Sequence, residues 1–433
     1  MQSAQPVTPQ SGYDTPRELP DSTASQPVPP AAPVQQSQVV QPAQVQQQPA
    51  SAPVLVPEPQ EQEFVSEIEE VNMLAGKLQN SLLPEELREK GMGMVKRLQK
   101  MARYGSFSKE YESVEKYVST ITSIPWGKYT EDNLDLTHVK AQLDKTHFGV
   151  ENIKERMLEY VAMLNLRLKK DAEEAQQGAG TPEEMARLQG SSSHAPILAL
   201  VGIQGIGKTS IAKSIATALG RKFVRISLGG LAGVTELRGR SRGEPDAEPG
   251  QVIKALIRTE VMNPMILMDE IDKISESSRA DVMAALLEIL DPEQNSTFRD
   301  NFIDYPVDLS NVIFVATANN LGGISAALLD RLEVVRMISY SDDEKMHIAR
   351  DYLLPKVLST SGLDDDQITF DDQVWPLVIR PLGFDAGIRE LERTLTRLVR
   401  KVAKQVVMGQ GEKFHITPEN FRQYIPEDIG VMS

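Results

Sequence analysis

The sequence predicts an α/β fold in which a parallel sheet lies between helices, with a helical region before it and a small all-α domain after it. Within residues 125–340, short apolar runs alternate with helical patterns, as they do in parallel sheets with crossover helices. The patterns at 63–124 and 341–433 are helical. Residues 1–62 show neither periodicity, and we expect a disordered tail there.

The tail is defined by its composition. The first 60 residues hold 13 of the 27 prolines and 13 glutamines, with almost no aromatic residues. Such a stretch cannot bury enough apolar surface to offset the entropy lost on folding. Its one arginine, Arg17, lies among acidic residues, which argues against a mitochondrial transit peptide.

The overall composition excludes several classes of protein. No run approaches the roughly 18 apolar residues that a membrane-spanning helix needs. The absence of cysteine excludes disulfides, thiolate metal sites and a cysteine nucleophile. A net charge of -15 leaves no basic excess to neutralise phosphates, so we expect no nucleic-acid partner. These features fit an intracellular protein with no membrane partner.

The helical region begins with two amphipathic helices between residues 64 and 101, interrupted at Pro84, which we interpret as a hairpin. A third helical pattern runs over 111–121, and another helix is predicted over 153–168. The polar stretch 169–195, which contains glycines and a run of serines, indicates a surface insertion or linker.

The sheet is predicted from short apolar runs. Four strands are expected at residues 197–201, 223–228, 265–268 and 312–316, and an additional edge strand at 333–338. A helix over 208–219 follows the first of these strands, and from residue 341 the pattern is helical again.

A phosphate-binding loop lies between the first strand and its helix. The segment Gly202-Ile203-Gln204-Gly205-Ile206-Gly207-Lys208-Thr209 matches the pattern G-x-x-x-x-G-K-[ST]. Glycines let the backbone amides turn toward phosphates, and the following helix presents its positive N-terminal end. Lys208 can reach the β- and γ-phosphates, and the Thr209 hydroxyl can ligate Mg²⁺. A chance match is the alternative, but the position between a strand and a helix favours an ATP site.

A second phosphate-site motif lies at the end of the third predicted strand, where the apolar run 265–268 is followed by Asp269 and Glu270. A parallel strand delivers its C-terminal residues to the ligand crevice. We therefore expect Asp269 to hold Mg²⁺ through a water molecule and Glu270 to polarise the attacking water. Two acids after a strand are often a solvated edge, and simple nucleotide kinases share both motifs, so this pair alone does not define the reaction.

Five further segments resemble the ATPase module of Lon proteases nearly residue for residue. They are residues 123–128, 220–230, 291–298, 316–319 and 328–331. The resemblance extends over roughly residues 65–425. It implies an AAA+ fold, with an α/β nucleotide-binding domain and a small helical lid.

The resemblance also implies roles for single residues. Asn319 matches the sensor that orients the attacking water, Arg331 matches the arginine finger that reaches a neighbouring subunit's nucleotide, and Arg389 matches the second sensor in the lid. Cations near the γ-phosphate stabilise the charge of the transition state. Taken alone, each arginine would be read as a surface salt bridge. His147, Phe148 and Gly149 match the segment that frames the adenine, although His147 alone could equally be a surface histidine.

The chain departs from the family in two respects. The Lon protease domain, whose serine lies in a Pro-Lys-Asp-Gly-Pro-Ser-type segment, has no counterpart in this sequence, so we expect no peptidase activity. The family's pore loop grips substrate with an aromatic–aliphatic pair, but Glu244 and Pro245 occupy those positions. We call residues 243–248 the acidic loop. In addition, Ile203 and Gln204 replace the customary double proline of the P-loop, which need not abolish binding because backbone amides contact the phosphates.

Three functions remain open from the sequence. The first is an ATPase that acts on an unknown protein partner without cutting it, and the family resemblance implies that it forms a homo-oligomeric ring, which we expect to be a hexamer. The second is a nucleotide-regulated scaffold that binds ATP and translocates nothing, and the third is an N-terminal fragment of a Lon protease. We expect a cytoplasmic location, with peroxisome or mitochondrion as alternatives by family analogy.

Overall fold

The computed structural model describes residues 59–102, 108–176, 197–380 and 387–425, and every structural statement below concerns those residues. The predicted disordered tail therefore lies almost wholly outside the described residues. Most of the predicted insertion at 169–195 lies outside them too.

Three helices form the N-terminal helical region: α1 (Pro59–Asn80), α2 (Glu85–Ala102) and α3 (Ser108–Ser123). The predicted hairpin of α1 and α2 is confirmed, with Pro84 just before α2, where a missing N–H costs nothing. Helix α1 begins at Pro59, so the last residues assigned to the tail are helical. The three helices bury one apolar stripe made of Val71, Leu74, Leu78, Leu87, Val95, Leu98, Tyr117, Val118 and Ile121.

This apolar stripe is continuous with the core of the nucleotide-binding domain. The Tyr117 hydroxyl, which is buried, donates to the carbonyl of Ile303 at 3.2 Å. On the surface, Lys90 Nζ lies 2.8 Å from Asp304 Oδ2. The helical region therefore packs directly on the domain that follows it.

Two helices lead into the sheet: α4 (Leu136–Thr146) and α5 (Glu151–Gln176). Helix α4 is absent from the sequence prediction. Asp135 caps it by accepting a hydrogen bond from the Thr137 amide at 3.0 Å, which satisfies one of the unpaired N–H groups of its first turn. Helix α5 continues past the predicted end at residue 168, so the beginning of the polar stretch is helical.

The main sheet is parallel and five-stranded, as predicted. Its order is β2-β3-β6-β1-β7, and β7 forms the predicted edge. Its strands are β1 (Ile197–Val201), β2 (Phe223–Ser227), β3 (Met265–Asp269), β6 (Ile313–Ala318) and β7 (Leu332–Arg336), while β4 (Phe298–Arg299) and β5 (Pro306–Val307) form a small antiparallel pair.

Helices cover both faces of the sheet: α6 (Lys208–Ala218), α7 (Val234–Arg238), α8 (Gln251–Thr259), α9 (Arg279–Leu290) and α10 (Ala326–Leu329). Side chains alternate between the two faces of a strand, so β1 contributes to two cores. Leu198 and Leu200 pack with Ile211 and Ile215 of α6, whereas Ala199 and Val201 belong to the opposite core. This double burial explains why β1 is apolar throughout, and why β3 and β6 are apolar up to Asp269 and Thr317 near their ends.

The lid begins at Ser341, which forms a capping box with Glu344. Its helices are α11 (Asp342–His347), a π-helical segment (Ile348–Leu353), α12 (Leu354–Ser361), α13 (Trp375–Ile379), α14 (Arg389–Val407) and α15 (Phe421–Tyr424). The all-α prediction misses a short parallel pair, β8 (Ile368–Phe370) with β9 (Phe414–Ile416). Across the described residues, no helix combines the length and apolarity needed to cross a membrane.

Candidate nucleotide site

The predicted P-loop connects β1 to α6 and curves around a lysine. Gly205 and Gly207 have φ values of 89° and 92°, a region that glycine adopts readily and other residues rarely do. The buried Lys208 ammonium donates to the carbonyls of Gly202 at 2.6 Å and Ile203 at 3.0 Å. It also donates to Asn319 Oδ1 at 3.0 Å. The loop therefore closes around a cation that its own carbonyls hold in position.

The surroundings of Lys208 shift the pKa of its ammonium group. Burial lowers the pKa of the Lys208 ammonium, and the Asp269 carboxylate opposes this change. The Arg389 cation also lowers the pKa. A polyanion in the cleft would be attracted by both cations at once.

Asp269 and Glu270 reach the cleft from the end of β3, as predicted. Asp269 is buried and accepts a hydrogen bond from the Thr317 hydroxyl of β6. The Glu270 amide donates to the same Thr317 oxygen at 3.0 Å. Glu270 itself has left-handed backbone angles, with φ 60° and ψ 47°, which are uncommon for a residue with a side chain. Thr317 thus fixes both acids relative to the neighbouring strand.

The lid contacts the P-loop directly. The Ile388 amide donates to the Gly205 carbonyl at 2.8 Å. Gly387 approaches so closely that a Cβ there would lie 2.9 Å from the carbonyl oxygen of Gln204. Arg389 follows at the start of α14 and lines the cleft beside Gly205. A movement of the lid would therefore displace Arg389 and the P-loop together.

Most of the predicted site residues line one cavity of about 270 Å³. They are Gln204, Gly205, Gly207, Lys208, Thr209, Asp269, Glu270, Asn319, Arg389, His147 and Phe148. Five predicted residues do not line it: Gly202, Ile203, Ile206, Gly149 and Arg331. Gly202 and Ile203 still contribute the carbonyls that hold Lys208.

The segment before α5 forms one wall of the cleft. His147 Nε2 lies 3.1 Å from the Ser210 hydroxyl oxygen, and burial lowers the pKa of His147 to about 4, so the ring is neutral near pH 7. The Phe148 ring stacks on His347 of the lid, with centroids 5.0 Å apart and planes inclined by 17°. Gly149 follows with a φ of 66°, which lets the chain turn into α5.

Arg331 does not reach this chain's own cleft. Its Nη2 atom lies 2.8 Å from Asp291 Oδ2, and the Asp291 carboxyl is buried while the arginine is 41% exposed. The residue therefore remains a prediction about a neighbouring subunit. Any such contact requires the guanidinium to leave or share Asp291.

The acidic loop presents a different surface. Glu244, Pro245 and Asp246 are exposed, and Glu248 pairs with Lys254 at 2.8 Å. Between residues 243 and 248, the sequence holds no large apolar side chain. The loop thus offers carboxylates where the family resemblance predicts an aromatic grip.

Several residues of the cleft escape prediction. Tyr340 lines it and donates from its hydroxyl to the Ile206 carbonyl at 3.3 Å. Thr317 and Arg225 both contact Asp269. Thr317 lies two residues before Asn319, and this spacing is a signal that could have identified it. Tyr340 and Arg225 depend on tertiary packing and leave no local pattern.

The cleft offers ligands suited to magnesium. The Thr209 hydroxyl and the Asp269 carboxylate line it, and both are the hard oxygen donors that Mg²⁺ prefers. Over the described ranges there is no group of three or more His, Cys, Asp or Glu side chains that could hold a metal ion. This donor set fits a cation bound jointly by a few side chains and substrate phosphates.

Comparison with known families agrees with this geometry. The sequence model described as "ATPase family associated with various cellular activities (AAA)" matches residues 198–340. The model described as "Lon protease AAA+ ATPase lid domain" matches residues 359–415. The first covers the sheet with its P-loop, and the second covers the lid that carries Arg389.

Individual relatives extend the similarity. The Lon protease of Halothermothrix orenii is 40% identical over 343 residues, which are 79% of this chain and 40% of the relative. The Lon protease of Nitrosococcus oceani is 42% identical over 351 residues, or 81% of this chain and 42% of that protein. Lon protease 1 of Bacillus subtilis is 39% identical over 360 residues, or 83% and 43%.

The chain thus spans about two fifths of the length of these relatives. They are bacterial proteins, and they give no support to a peroxisomal or mitochondrial location. From the family matches, the sheet topology and the cleft together, the chain contains an AAA+ ATPase region of the Lon family.

Proposed function

We propose that this chain binds ATP with Mg²⁺ in the cleft between sheet and lid and hydrolyses it. The observation that carries the proposal is that four separate segments of the chain bring polar side chains to one cavity. These side chains are Lys208, Asp269 with Glu270, Asn319 and Arg389. The cavity therefore combines a P-loop lysine, two acids at a strand end and a second cation from the lid. Transfer of the γ-phosphoryl group to water needs such a set of groups.

Each residue has a distinct part in this proposal. The P-loop amides and Lys208 bind the β- and γ-phosphates, and Arg389 adds a second cation from the lid. Thr209 and Asp269 hold the magnesium, which when bound neutralises charge on the phosphate oxygens. Glu270 accepts a proton from the attacking water, and Asn319 orients that water. His147 and Phe148 border the adenine as an uncharged, partly aromatic wall.

The proposal includes assembly into a homo-oligomeric ring, most simply a hexamer. Lon and AAA+ proteins are generally oligomeric rings, and the exposed Arg331 is available to a neighbouring subunit. In such a ring Arg331 would complete the site of the next subunit and hydrolysis would drive movement of a protein partner. Peptidase activity is not part of the proposal, because the two family matches cover the ATPase and the lid.

The acidic loop favours a second candidate, a scaffold that changes shape with nucleotide and translocates nothing. Its exposed Glu244 and Asp246 cannot grip an unfolded chain by apolar contact. A third candidate, a part of a Lon protease, is compatible with the share of its relatives that this chain spans. The scaffold candidate predicts ATP binding without protein unfolding, whereas the third predicts peptidase activity once the rest of such a protein is supplied.

The test compares two lysines on the same helix. Lys208→Ala should lower the affinity for a fluorescent ATP analogue at least about 100-fold, because charge-assisted contacts to phosphate are lost. Lys213→Ala removes an exposed lysine from the next turn and should leave binding unchanged. Tight binding by the Lys208 variant would overturn the assignment. Steady-state ATP turnover, measured across protein concentration, then separates a hydrolysing ring from a scaffold that only binds.

A further inference from the structure

The Asp269 carboxylate has a second protein partner outside the two phosphate-site motifs. The Nε atom of Arg225 lies 2.5 Å from Asp269 Oδ2. Arg225 belongs to β2, the edge strand, in which Arg225 pairs with Leu267 and Ser227 pairs with Asp269. The arginine therefore reaches diagonally across one strand to the acid at the end of β3.

Both oxygens of this carboxylate are occupied by protein groups. Oδ1 accepts from the Thr317 hydroxyl, whose oxygen also accepts from the Glu270 amide. Oδ2 pairs with Arg225. A magnesium ion that used Asp269 would therefore meet an oxygen already paired with a cation, and it would be repelled by that cation at short range.

The two partners differ in how firmly they are held. Thr317 is completely buried and bonded on two sides. The Arg225 side chain is 49% exposed, and within the described residues its one recorded partner is Asp269. Arg225 is thus the partner that can move away toward solvent, whereas Thr317 keeps the carboxylate oriented.

We propose that Arg225 is a positioning residue that competes with magnesium for the Asp269 carboxylate and so sets the magnesium concentration at which the cleft binds magnesium with nucleotide. The inference rests on the proposed nucleotide site. With no divalent cation present, Arg225 balances the buried charge and keeps Asp269 in place. When magnesium and nucleotide enter together, the guanidinium would move aside and free the Asp269 carboxylate to help hold the ion.

The test titrates magnesium, with binding as its readout. A non-hydrolysable ATP analogue is held at one concentration, free Mg²⁺ is raised, and the thermal unfolding midpoint is followed. Arg225→Gln removes the competing charge, so half of the thermal shift should occur at a free Mg²⁺ concentration about three- to tenfold lower than in the parent, the size expected for a half-exposed ion pair. Arg225→Lys keeps the charge and should stay within about twofold of the parent.

Two controls make the result specific. Arg225→Met retains the apolar stem without the charge, and it should move the magnesium midpoint in the same direction as Arg225→Gln. Arg156→Gln removes another half-exposed arginine, which pairs with Glu159 and Glu333 outside the cleft, and should not move the midpoint. A purely structural Arg225 would lower thermal stability at every magnesium concentration equally, and that result would overturn the inference.

The analogue alone, in the presence of EDTA, separates the two proposals. If it stabilises the parent but the magnesium midpoints of parent and Arg225→Gln coincide, the competition is refuted and the nucleotide site stands. If the analogue has no effect on the parent with or without magnesium, the nucleotide site itself is refuted, and the competition with it.

Discussion

Two buried aspartates, Asp269 in the nucleotide cleft and Asp300 at the base of the acidic loop, are held in contrasting ways. Asp269 is held by two side chains, Thr317 and Arg225. Asp300 is completely buried and accepts hydrogen bonds from three backbone amides, those of Gly250, Phe302 and Ile303, at 2.7, 2.8 and 3.1 Å. Side-chain partners can exchange for a ligand, whereas a carboxylate surrounded by backbone acts as a fixed support.

The two glycines that pack around Asp300, Gly239 and Gly250, leave no room for a larger side chain. A Cβ on Gly239 would lie 2.8 Å from both Asp300 carboxylate oxygens. A Cβ on Gly250 would lie 2.1 Å from the Leu237 carbonyl oxygen. The acidic loop thus has an exposed tip that departs from the family and a base that is tightly built. The tightly packed base gives the loop a defined position.

The largest expected effect lies in the cleft, on the reaction itself. Glu270→Gln should lower ATP turnover about 1,000-fold or more, because the amide keeps the shape of the side chain but cannot accept a proton from water. Affinity for the ATP analogue should stay within about threefold of the parent, since the P-loop and Lys208 are unchanged. Steady-state turnover and analogue binding measure the two quantities separately.

The control for this variant is Glu276→Gln, which changes an exposed glutamate outside the cleft. It should turn over ATP at the parent rate. Equal turnover by the Glu270 variant and the parent would move the catalytic carboxylate to another residue.

Arg331 tests whether a neighbouring subunit completes the cleft. Arg331→Ala should lower turnover about 100-fold, because one cation that stabilises transition-state charge is lost. Mixed with Glu270→Gln protein, it should recover part of the activity, since an interface can then combine an intact arginine with an intact glutamate. As a control, a double variant that carries both changes replaces the Arg331→Ala protein in this mixture. No subunit then has an intact Glu270, so no activity should be recovered. Zero activity in every mixture, with mixed assembly demonstrated, would refute the interfacial role.

At the base of the acidic loop the expected effect is on stability. Asp300→Ala leaves three buried amides without an acceptor and should lower the free energy of unfolding by roughly 2–4 kcal/mol at pH 5. Urea unfolding measures this difference. Asp365→Ala, at an exposed position of the lid, should change it by less than about 0.5 kcal/mol. A change in the Asp300 variant as small as in that control would show that the base is not a fixed support.

The same carboxyl should make stability depend on pH. Burial raises the pKa of Asp300 from 3.8 to about 6, against the opposing effect of its amide donors. The folded protein therefore holds this proton more tightly than the unfolded chain, and the stability gained is complete below pH 4 and lost as the pH rises through 6. Relative to Asp300→Asn, the parent's free energy of unfolding should fall by roughly 2 kcal/mol between pH 4 and pH 7. A difference that stays constant across this range would refute the raised pKa.

Much of this arrangement follows from sequence because parallel strands deliver their C-terminal residues to one edge of a sheet. Strand β1 lies at its predicted bounds, and Lys208, Asp269 and Asn319 meet as the motifs predict. The features that escape prediction have weak local signals. Helix α4 buries only Val139 and Leu143, and the pair β8–β9 has three residues in each strand. The contact between the Ile388 amide and Gly205 uses backbone atoms alone, so it cannot be predicted from the residue types.

The smallest expected effect on hydrolysis comes from the tip of the acidic loop. Glu244→Tyr with Pro245→Val restores the aromatic–aliphatic pair of the family. Because neither residue lines the cleft, ATP turnover should change less than about twofold. The informative readout is mechanical: the parent should not translocate casein when it hydrolyses ATP, and the double variant should, if a ring forms around the loop.

A control that removes only the negative charges separates two effects of the loop: the missing apolar contact with a substrate chain, and the repulsion of that chain by the carboxylates. In a ring, Glu244 and Asp246 of every subunit would face one axis, where like charges repel each other and an acidic substrate. Glu244→Gln with Asp246→Asn removes that repulsion without adding apolar surface, so this variant should not translocate casein either. The competing explanation is that the loop is adapted to basic substrates, and it predicts that the parent processes a highly basic unfolded protein, faster at low salt than at high salt. ATP-driven translocation of casein by the parent would refute both explanations, because an acidic loop without an aromatic residue would then suffice to grip a chain.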